Sequence, residues 1–197
     1  MTPERPRGAD AKELAVEVPK GASRRTESAP HESGSGRLYA AVDLGTNSCR
    51  MLIAQPRGSQ FHVVDSFSKT VQLGAGLEAS GRLSRASMGR TMQALRICQK
   101  KIEGHGITRM RLVATEACRR ARNAKDFMRQ VRRETGLNVE IIGAEEEARL
   151  AVISCAPLVT APTEQLLVVD IGGGSTELVW IDLSDVPPED RARSIMR

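Results

Sequence analysis

The sequence predicts an α/β fold whose strands and helices follow the order βββαβαβα, with a further hairpin after them. Two features indicate this order. Apolar runs of strand length alternate with segments whose apolar residues recur at helical spacing, and two glycine-rich acidic turns each lie between two apolar runs. Because 197 residues can bury one core and part of another, we expect one domain and the beginning of a second.

The elements are predicted as follows. Strands are expected over 38–43, 49–55, 61–67, 110–114 and 139–142. Helices are expected over about 84–103, 124–134 and 145–154. The first helix shows the helical spacing in Met88, Thr91, Met92, Leu95 and Cys98. The final hairpin is expected over 165–181.

The chain divides into three predicted segments. Residues 1–37 are expected to be a disordered tail, because they are rich in polar residues, Pro and Gly and have almost no periodic apolar content. Residues 38–160 are expected to form the first domain. Pro157 and Pro162 then interrupt the chain, and 161–197 is expected to open a second domain that is mostly absent, since a two-stranded hairpin is marginal alone in water. After Pro187 and Pro188 a charged tail follows without another apolar run.

Composition excludes several classes of function. Aromatic residues make up 3% of the chain, which argues against base-stacking platforms for nucleic acid. The four cysteines form no CxxC pair, so a zinc site or redox dithiol is not expected, and they fit buried thiols in a reducing cytoplasm. No apolar stretch reaches the roughly 20 residues of a membrane span, and no signal peptide is evident. We therefore expect a soluble cytoplasmic protein with no membrane partner.

Charge is distributed unevenly along the chain. Residues 82–133 contain fifteen Lys or Arg and three acids, whereas 134–190 contain twelve acids and one Arg. A basic half facing an acidic half suits a polyanionic substrate beside a metal site. The alternative is that these charged side chains simply lie on the solvent-exposed faces of helices. Taken residue by residue, this is the more common arrangement for these residue types.

The two glycine-rich turns are the candidate phosphate sites. The first is DLGTNS, residues 43–48, and the second is DIGGGSTE, residues 170–177. Glycine lets a bulky anion approach the backbone, and successive amides can form an anion nest. A carboxylate at such a nest repels the anion unless a divalent cation bridges them, and Mg²⁺ binds carboxylates, waters and phosphate oxygens together. For Asp43 the alternative is an Asx-type turn cap.

Asp170 and Glu177 flank the second turn on opposite strands. They could face one another across the hairpin, where like charges are destabilising unless something neutralises them. A cation is the simplest neutraliser. The alternative is that both side chains point into solvent.

Four phrases in order resemble the exopolyphosphatase and guanosine pentaphosphate phosphatase family of the actin-like phosphotransferase superfamily. They are AVDLGTNSCR (41–50), ATEACRRARN (114–123), EEARL (146–150) and VDIGGGSTEL (169–178). The resemblance extends over about 38–181. It implies an actin-like ATPase (ribonuclease H-like) domain with a mixed five-stranded sheet, plus the first hairpin of a second such domain.

The resemblance also implies an activity: Mg²⁺-dependent hydrolysis of the terminal phosphoryl group of inorganic polyphosphate or guanosine pentaphosphate. Glu147 matches the catalytic base, and Asp170 and Glu177, with Asp43 as a weaker candidate, match the magnesium ligands. The phosphate-binding residues would be Gly45, Thr46, Asn47, Ser48, Arg119, Gly172, Gly173, Gly174, Ser175 and Thr176. Arg119 would bind two phosphate oxygens with its planar fork.

Some of these assignments have alternatives. Three consecutive glutamates, Glu145, Glu146 and Glu147, also complement a helix dipole, and the first two are expected to raise the pKa of the third. Arg120 is the alternative to Arg119 as the residue that matches the family's phosphate-binding arginine, and Arg50 could also line the cleft.

One fold hosts many chemistries, so two other functions stay open: an ATP-dependent kinase or ATPase, and a non-catalytic phosphate or alarmone-binding protein. An exposed hairpin edge also suggests pairing with a second copy or with a complementing C-terminal half.

Limited trypsin digestion should remove the tail early without changing the melting temperature of the remainder, because a disordered segment is cut first. Mass spectrometry of the products reports cleavage after Arg24 and Arg25. Protection of these bonds would contradict the predicted disorder.

Overall fold

The computed structural model describes residues 36–58 and 60–196. The tail predicted for the first residues therefore lies almost wholly outside the described part. Within that part, no helix is long and apolar enough to cross a membrane.

A mixed five-stranded sheet forms the first part of the structure, in the order β3-β2-β1-β4-β5. Its strands are β1 (Tyr39–Leu44), β2 (Ser48–Arg57), β3 (Gln60–Thr70), β4 (Met110–Ala114) and β5 (Glu140–Ile141). The first three form an antiparallel meander, whereas β4 joins β1, and β5 joins β4, in parallel. All five predicted strands are present, with the third longer and the last shorter than expected.

In the described part of the chain, six α-helices accompany the strands: α1 (Leu77–Ser80), α2 (Arg85–Gly104), α3 (Glu116–Arg120), α4 (Ala124–Thr135), α5 (Ala144–Cys155) and α6 (Arg191–Ser194). The three predicted helices are α2, α4 and α5. Helix α2 begins after Ser84, whose hydroxyl accepts a hydrogen bond from the Ser87 amide at 3.1 Å. Helices α1 and α3 were not predicted, because four or five residues are too few to show a helical period.

One face of the sheet carries the main core. Strand β1 buries Ala40, Val42 and Leu44, and β2 buries alternate residues beginning at Cys49. These side chains belong to the same buried cluster as Leu95 of α2 and residues of α4. Because strand side chains alternate, Asp43 and its neighbours at odd positions of β1 lie on the opposite face. The sheet thus delivers Asp43 to the end of β1 without burying it in the apolar core.

A second sheet consists of the predicted hairpin, β6 (Gln165–Ile171) and β7 (Thr176–Asp182), paired antiparallel. Its inner face packs with α5 in a separate apolar cluster that includes Val152, Val168, Val179 and Ile181. Its outer face is apolar as well but exposed, and it carries Leu167, Val169, Ile171, Leu178 and Trp180. The hairpin is therefore covered on one side only by the described residues.

The charged tail after the paired prolines is structured, which the sequence did not predict. A 3-10 turn over Pro188–Asp190 leads into α6, and Ile195 packs into the second cluster. Arg191 is buried because its guanidinium donates to the carbonyl oxygens of Ala161 (2.6 Å) and Val186 (3.0 Å). The apolar signal here is a single buried isoleucine, too weak to predict an element.

The cysteines follow the expectation with one exception. Cys49, Cys98 and Cys118 are buried free thiols, whereas Cys155, at the end of α5, is partly exposed. Burial raises the pKa of Cys118 to about 12, so this thiol stays protonated.

Asn123 connects the loop that contains Leu83 with the loop that precedes α4. Its side-chain oxygen accepts from the Leu83 amide at 2.8 Å, and its side-chain nitrogen donates to the Leu83 carbonyl at 3.0 Å. The side chain is buried, so both Leu83 groups depend on it.

Asn123→Ala should therefore lower the free energy of unfolding by about 1–3 kcal/mol, because two buried backbone groups lose their partner. Urea unfolding followed by circular dichroism measures the change. The matched control is Asn138→Ala, at an exposed position, which should leave stability nearly unchanged. Equal effects of the two substitutions would contradict the assigned role of Asn123.

Candidate active site

The two glycine-rich turns have the same backbone closure. The Gly45 amide donates to the Ser48 carbonyl at 2.9 Å, and the Gly172 amide donates to the Ser175 carbonyl at 2.9 Å. Each turn therefore joins two antiparallel strands through one bond between its first glycine and its serine. The sequence prediction of two strand-turn-strand hairpins is confirmed.

The first turn is anchored through its carbonyl groups. Gly74 donates to the Thr46 carbonyl at 3.0 Å, and the amides of Val71 and Gln72 donate to the Asn47 carbonyl at 2.8 and 3.0 Å. Among the described residues, no backbone carbonyl accepts a hydrogen bond from the Thr46 or Asn47 amide. Two consecutive amides are thus left for an external acceptor, which is the arrangement of an anion nest.

The second turn lies directly against the first. A Cβ atom on Gly173 would stand 2.5 Å from Nδ2 of Asn47, and one on Gly174 would stand 3.0 Å from Oγ1 of Thr46. A side chain at position 173 would therefore displace the side chain of Asn47. Glycine at this position therefore allows the two turns to approach each other.

A cavity of about 400 Å³ opens between the two turns. It collects most of the predicted site residues: Asp43, Gly45, Thr46, Asn47, Ser48, Glu147, Asp170, Gly172, Gly173 and Ser175. Four predicted residues do not line it: Arg119, Gly174, Thr176 and Glu177. Gly174 lines a smaller neighbouring cavity of about 270 Å³, and Thr176 begins β7 opposite Ile171.

The acidic residues occupy matching places in the two hairpins. Asp43 is directly opposite Arg50 across β1 and β2, whereas Asp170 is directly opposite Glu177 across β6 and β7. Asp170 and Glu177 therefore face each other as the sequence suggested. One carboxylate oxygen of Glu177, Oε2, is buried and has no hydrogen-bond partner. A buried, unpartnered carboxylate oxygen beside another carboxylate suits a cation.

The donor set favours a hard cation held partly by other groups. In the described part of the chain, no three or more His, Cys, Asp or Glu residues come close enough together to hold a metal ion by themselves. Mg²⁺ commonly uses only one or two carboxylates, with waters and phosphate oxygens completing its shell. Burial raises the pKa of Asp43, Arg50 lowers it, and Asp170 raises it further. Asp43 and Asp170 are thus close enough to repel each other, and a cation would relieve this.

The structure separates the three consecutive glutamates of α5. Glu146 turns to Arg149 (2.7 Å) and Arg111 (2.9 Å), and these two arginines hold its pKa at about 2. Glu145 is exposed. Only Glu147 of the three lines the cavity.

The pKa of Glu147 is raised, though not by the expected neighbours. Burial raises it, Arg119 lowers it, and the charges of Glu177 and Asp43 raise it. Glu145 and Glu146, expected from the sequence to raise this pKa, are not among its causes. Glu146 is paired with Arg111 and Arg149, and Glu145 is exposed. The acids that act on Glu147 come from the two hairpins.

Arg119 holds carboxylates in this structure. Its Nη1 donates to Glu147 Oε2 at 2.5 Å and to the Ile142 carbonyl at 3.1 Å, and its Nε and Nη2 both donate to Glu116 Oε2. Burial lowers the pKa of Arg119, but the hydrogen bonds to Glu147 and Glu116 raise it overall. To bind two phosphate oxygens, as expected from the sequence, the Arg119 guanidinium would have to break hydrogen bonds to Glu147 or Glu116.

Sequence reasoning missed two residues of the site. Thr115 lines the cavity at the carboxyl end of β4 and is almost completely buried. Glu116 follows it and binds Arg119. Both residues lie inside the phrase ATEACRRARN. Their position directly after a predicted strand was the sequence signal that could have marked them as site residues. Helix α3, which begins at Glu116, is too short to be predicted from the sequence.

Comparisons with known proteins agree with this architecture. A model of the Ppx/GppA phosphatase family matches residues 52–188. The Ppx/GppA family member of Aquifex aeolicus is 37% identical, with a TM-score of 0.66, over 74% of this chain and 47% of that one. An exopolyphosphatase-like protein is 33% identical, with a TM-score of 0.70, over 78% and 48%. An exopolyphosphatase from Cytophaga hutchinsonii is 25% identical, with a TM-score of 0.68, over 74% and 47%.

The chain spans about half the length of these structures. The predicted fold class, an α/β domain of the actin-like type with a mixed five-stranded sheet, is confirmed. Because the family model covers well over half of its residues, the chain belongs to the Ppx/GppA phosphatase family.

Proposed function

We propose that this chain forms part of a phosphoanhydride hydrolase that removes terminal phosphoryl groups from inorganic polyphosphate or guanosine pentaphosphate in the cytoplasm. One observation carries the proposal: two glycine turns with the same closure and a single glutamate, Glu147, converge on one cavity. Turns of this kind suit phosphate oxygens, and a carboxylate beside them suits activation of water.

Glu147 is the proposed general base. A carboxylate within hydrogen-bond reach of a water aligns it for in-line attack on phosphorus and accepts its proton. The raised pKa of Glu147 strengthens it as a proton acceptor, and Arg119 keeps its carboxylate oriented. The Thr46 and Asn47 amides, with the second glycine turn, would bind the phosphate oxygens.

Asp170 and Glu177, with Asp43, would hold the proposed Mg²⁺. The support is the unpartnered Oε2 of Glu177 and the proximity of Asp43 to Asp170. The ion would neutralise phosphate charge and bind a phosphate oxygen as a Lewis acid. Without it, these carboxylates would repel the substrate that the amides attract.

Replacing the base and a metal ligand should have different effects in a form of the protein that includes a complete second domain. Glu147→Gln should lower kcat by about 10²–10⁴-fold, because the water loses its base. Asp170→Asn should raise the Mg²⁺ concentration needed for half-maximal rate by about tenfold or more. Phosphate release from polyphosphate and from guanosine pentaphosphate, measured over a range of Mg²⁺ concentrations, reports both.

The control for Glu147→Gln is Glu145→Gln, which removes the same charge from an exposed position in the same helical turn. Its rate should stay near that of the wild type. Equal loss of metal affinity in the Glu147 and Asp170 variants would show that the roles are misassigned.

The 197-residue chain by itself should hydrolyse neither substrate at a useful rate. It spans about half of the structures it matches, and the outer face of its hairpin is exposed, so the walls that position a phosphate are incomplete. Positioning supplies roughly 7–11 kcal/mol of a barrier in well-oriented reactions. A second copy or a complementing C-terminal half would complete the site.

Phosphate release by the purified chain, with its mass in solution measured in parallel, tests this expectation. Binding of polyphosphate without turnover would favour the non-catalytic alternative for this chain. Robust Mg²⁺-dependent turnover by a monomer of this length would overturn the need for a second domain.

A further inference from the structure

Glu116 is an acidic residue outside the main cavity that the proposed mechanism does not use. It begins α3, and its Oε2 accepts from Nε of Arg119 at 3.1 Å and from Nη2 at 2.9 Å. Both side chains are mostly buried, with 20% of Glu116 and 17% of Arg119 exposed. This pair is therefore better shielded from water than an ordinary surface pair three residues apart.

Nearly all N–H groups of the Arg119 guanidinium donate hydrogen bonds within the protein. A guanidinium has five N–H groups: one on Nε and two on each terminal nitrogen. The Nε group and one Nη2 group bind Glu116, and the two Nη1 groups serve Glu147 and the Ile142 carbonyl. One N–H remains for a phosphate.

The guanidinium is planar and rigid, so fixing one edge fixes the other. Glu116 holds the edge formed by Nε and Nη2, which leaves Nη1 pointing at Glu147. Without Glu116, Nη1 would still donate to Glu147 and to the Ile142 carbonyl, but the edge formed by Nε and Nη2 would have no partner among the described residues.

We propose that Glu116 is a positioning residue for the proposed hydrolysis, holding Arg119 against Glu147 and limiting what Arg119 can donate to a phosphate. The inference rests on the proposed function, which assigns Glu147 as base. It also resolves the competition between the two arginines. Arg120 is 51% exposed and reaches only the other oxygen of Glu116, at 3.7 Å, so Arg119 is the inward residue and Arg120 the outward one.

The mobility of the Arg119 guanidinium tests the proposal without any substrate. Rotation about its Nε–Cζ bond is measured by nitrogen-15 NMR on the 197-residue chain, with Arg119→Lys identifying the signal. In Glu116→Ala the rotation should accelerate by about tenfold or more, the factor that loss of one net hydrogen bond brings. Glu116→Gln, which keeps one acceptor oxygen, should show a smaller acceleration. Unchanged rotation in both variants would overturn the proposal.

The matched control is Glu78→Gln. Glu78 lines the same neighbouring cavity as Glu116, so the substitution removes one negative charge nearby. It should leave the rotation of Arg119 unchanged. Melting curves confirm folding, and if Glu116→Ala does not fold, Glu116→Gln decides the question.

Binding of inorganic tripolyphosphate, followed by calorimetry, gives a second readout. Glu116→Gln should bind it more tightly than Glu78→Gln, because both lose one charge but only the first releases Arg119. Equal gains would mean that Glu116 acts through charge alone and would overturn the positioning role. Failure of every variant to bind tripolyphosphate would instead weaken the proposed function, while the NMR rotation still decides the role of Glu116.

Discussion

Crowding of negative charge between the two hairpins is the constraint on which the site depends. Asp43, Glu147, Asp170 and Glu177 are close enough for their charges to act on one another. Like charges in a partly buried site destabilise the folded state unless cations or protons compensate them. The fold compensates part of this charge with two arginines, one beside Asp43 and one bonded to Glu147. Glu177 keeps a buried oxygen without a partner among the described residues.

The two sheets contribute differently to this arrangement. The first sheet is held by a large core on one of its faces, so the turn after β1 stands on a rigid support. The second is a hairpin that packs against α5, the helix that also carries Glu147. The position of Glu147, the proposed base, and that of the second turn therefore depend on the same helix, and a change in the packing of α5 would move both.

Sequence patterns predicted the parts of the site that are local in the chain. The turns were recognisable because glycine, aspartate and serine occur at fixed spacing between apolar runs, and the opposition of Asp170 and Glu177 followed from strand pairing. The partners of Arg119 were not predictable in this way. They come from α3, from the end of the main sheet and from α5, and only the folded chain brings these three together. The separation of Glu146 from Glu147 likewise depends on Arg111, which is 35 residues from Glu146 in the chain, together with the nearby Arg149.

The two hairpins close with the same bond but differ in one residue at the same register position. Opposite the aspartate, the first hairpin has Arg50 and the second has Glu177. At this register position the first hairpin thus carries one positive and one negative side chain, and the second carries two negative side chains. Under the proposed function, a polyanion with bound cations would meet two unlike hairpins, and its cation-rich end would be attracted to the second. The orientation in which such a chain enters would then follow from one difference in charge between two otherwise matching turns.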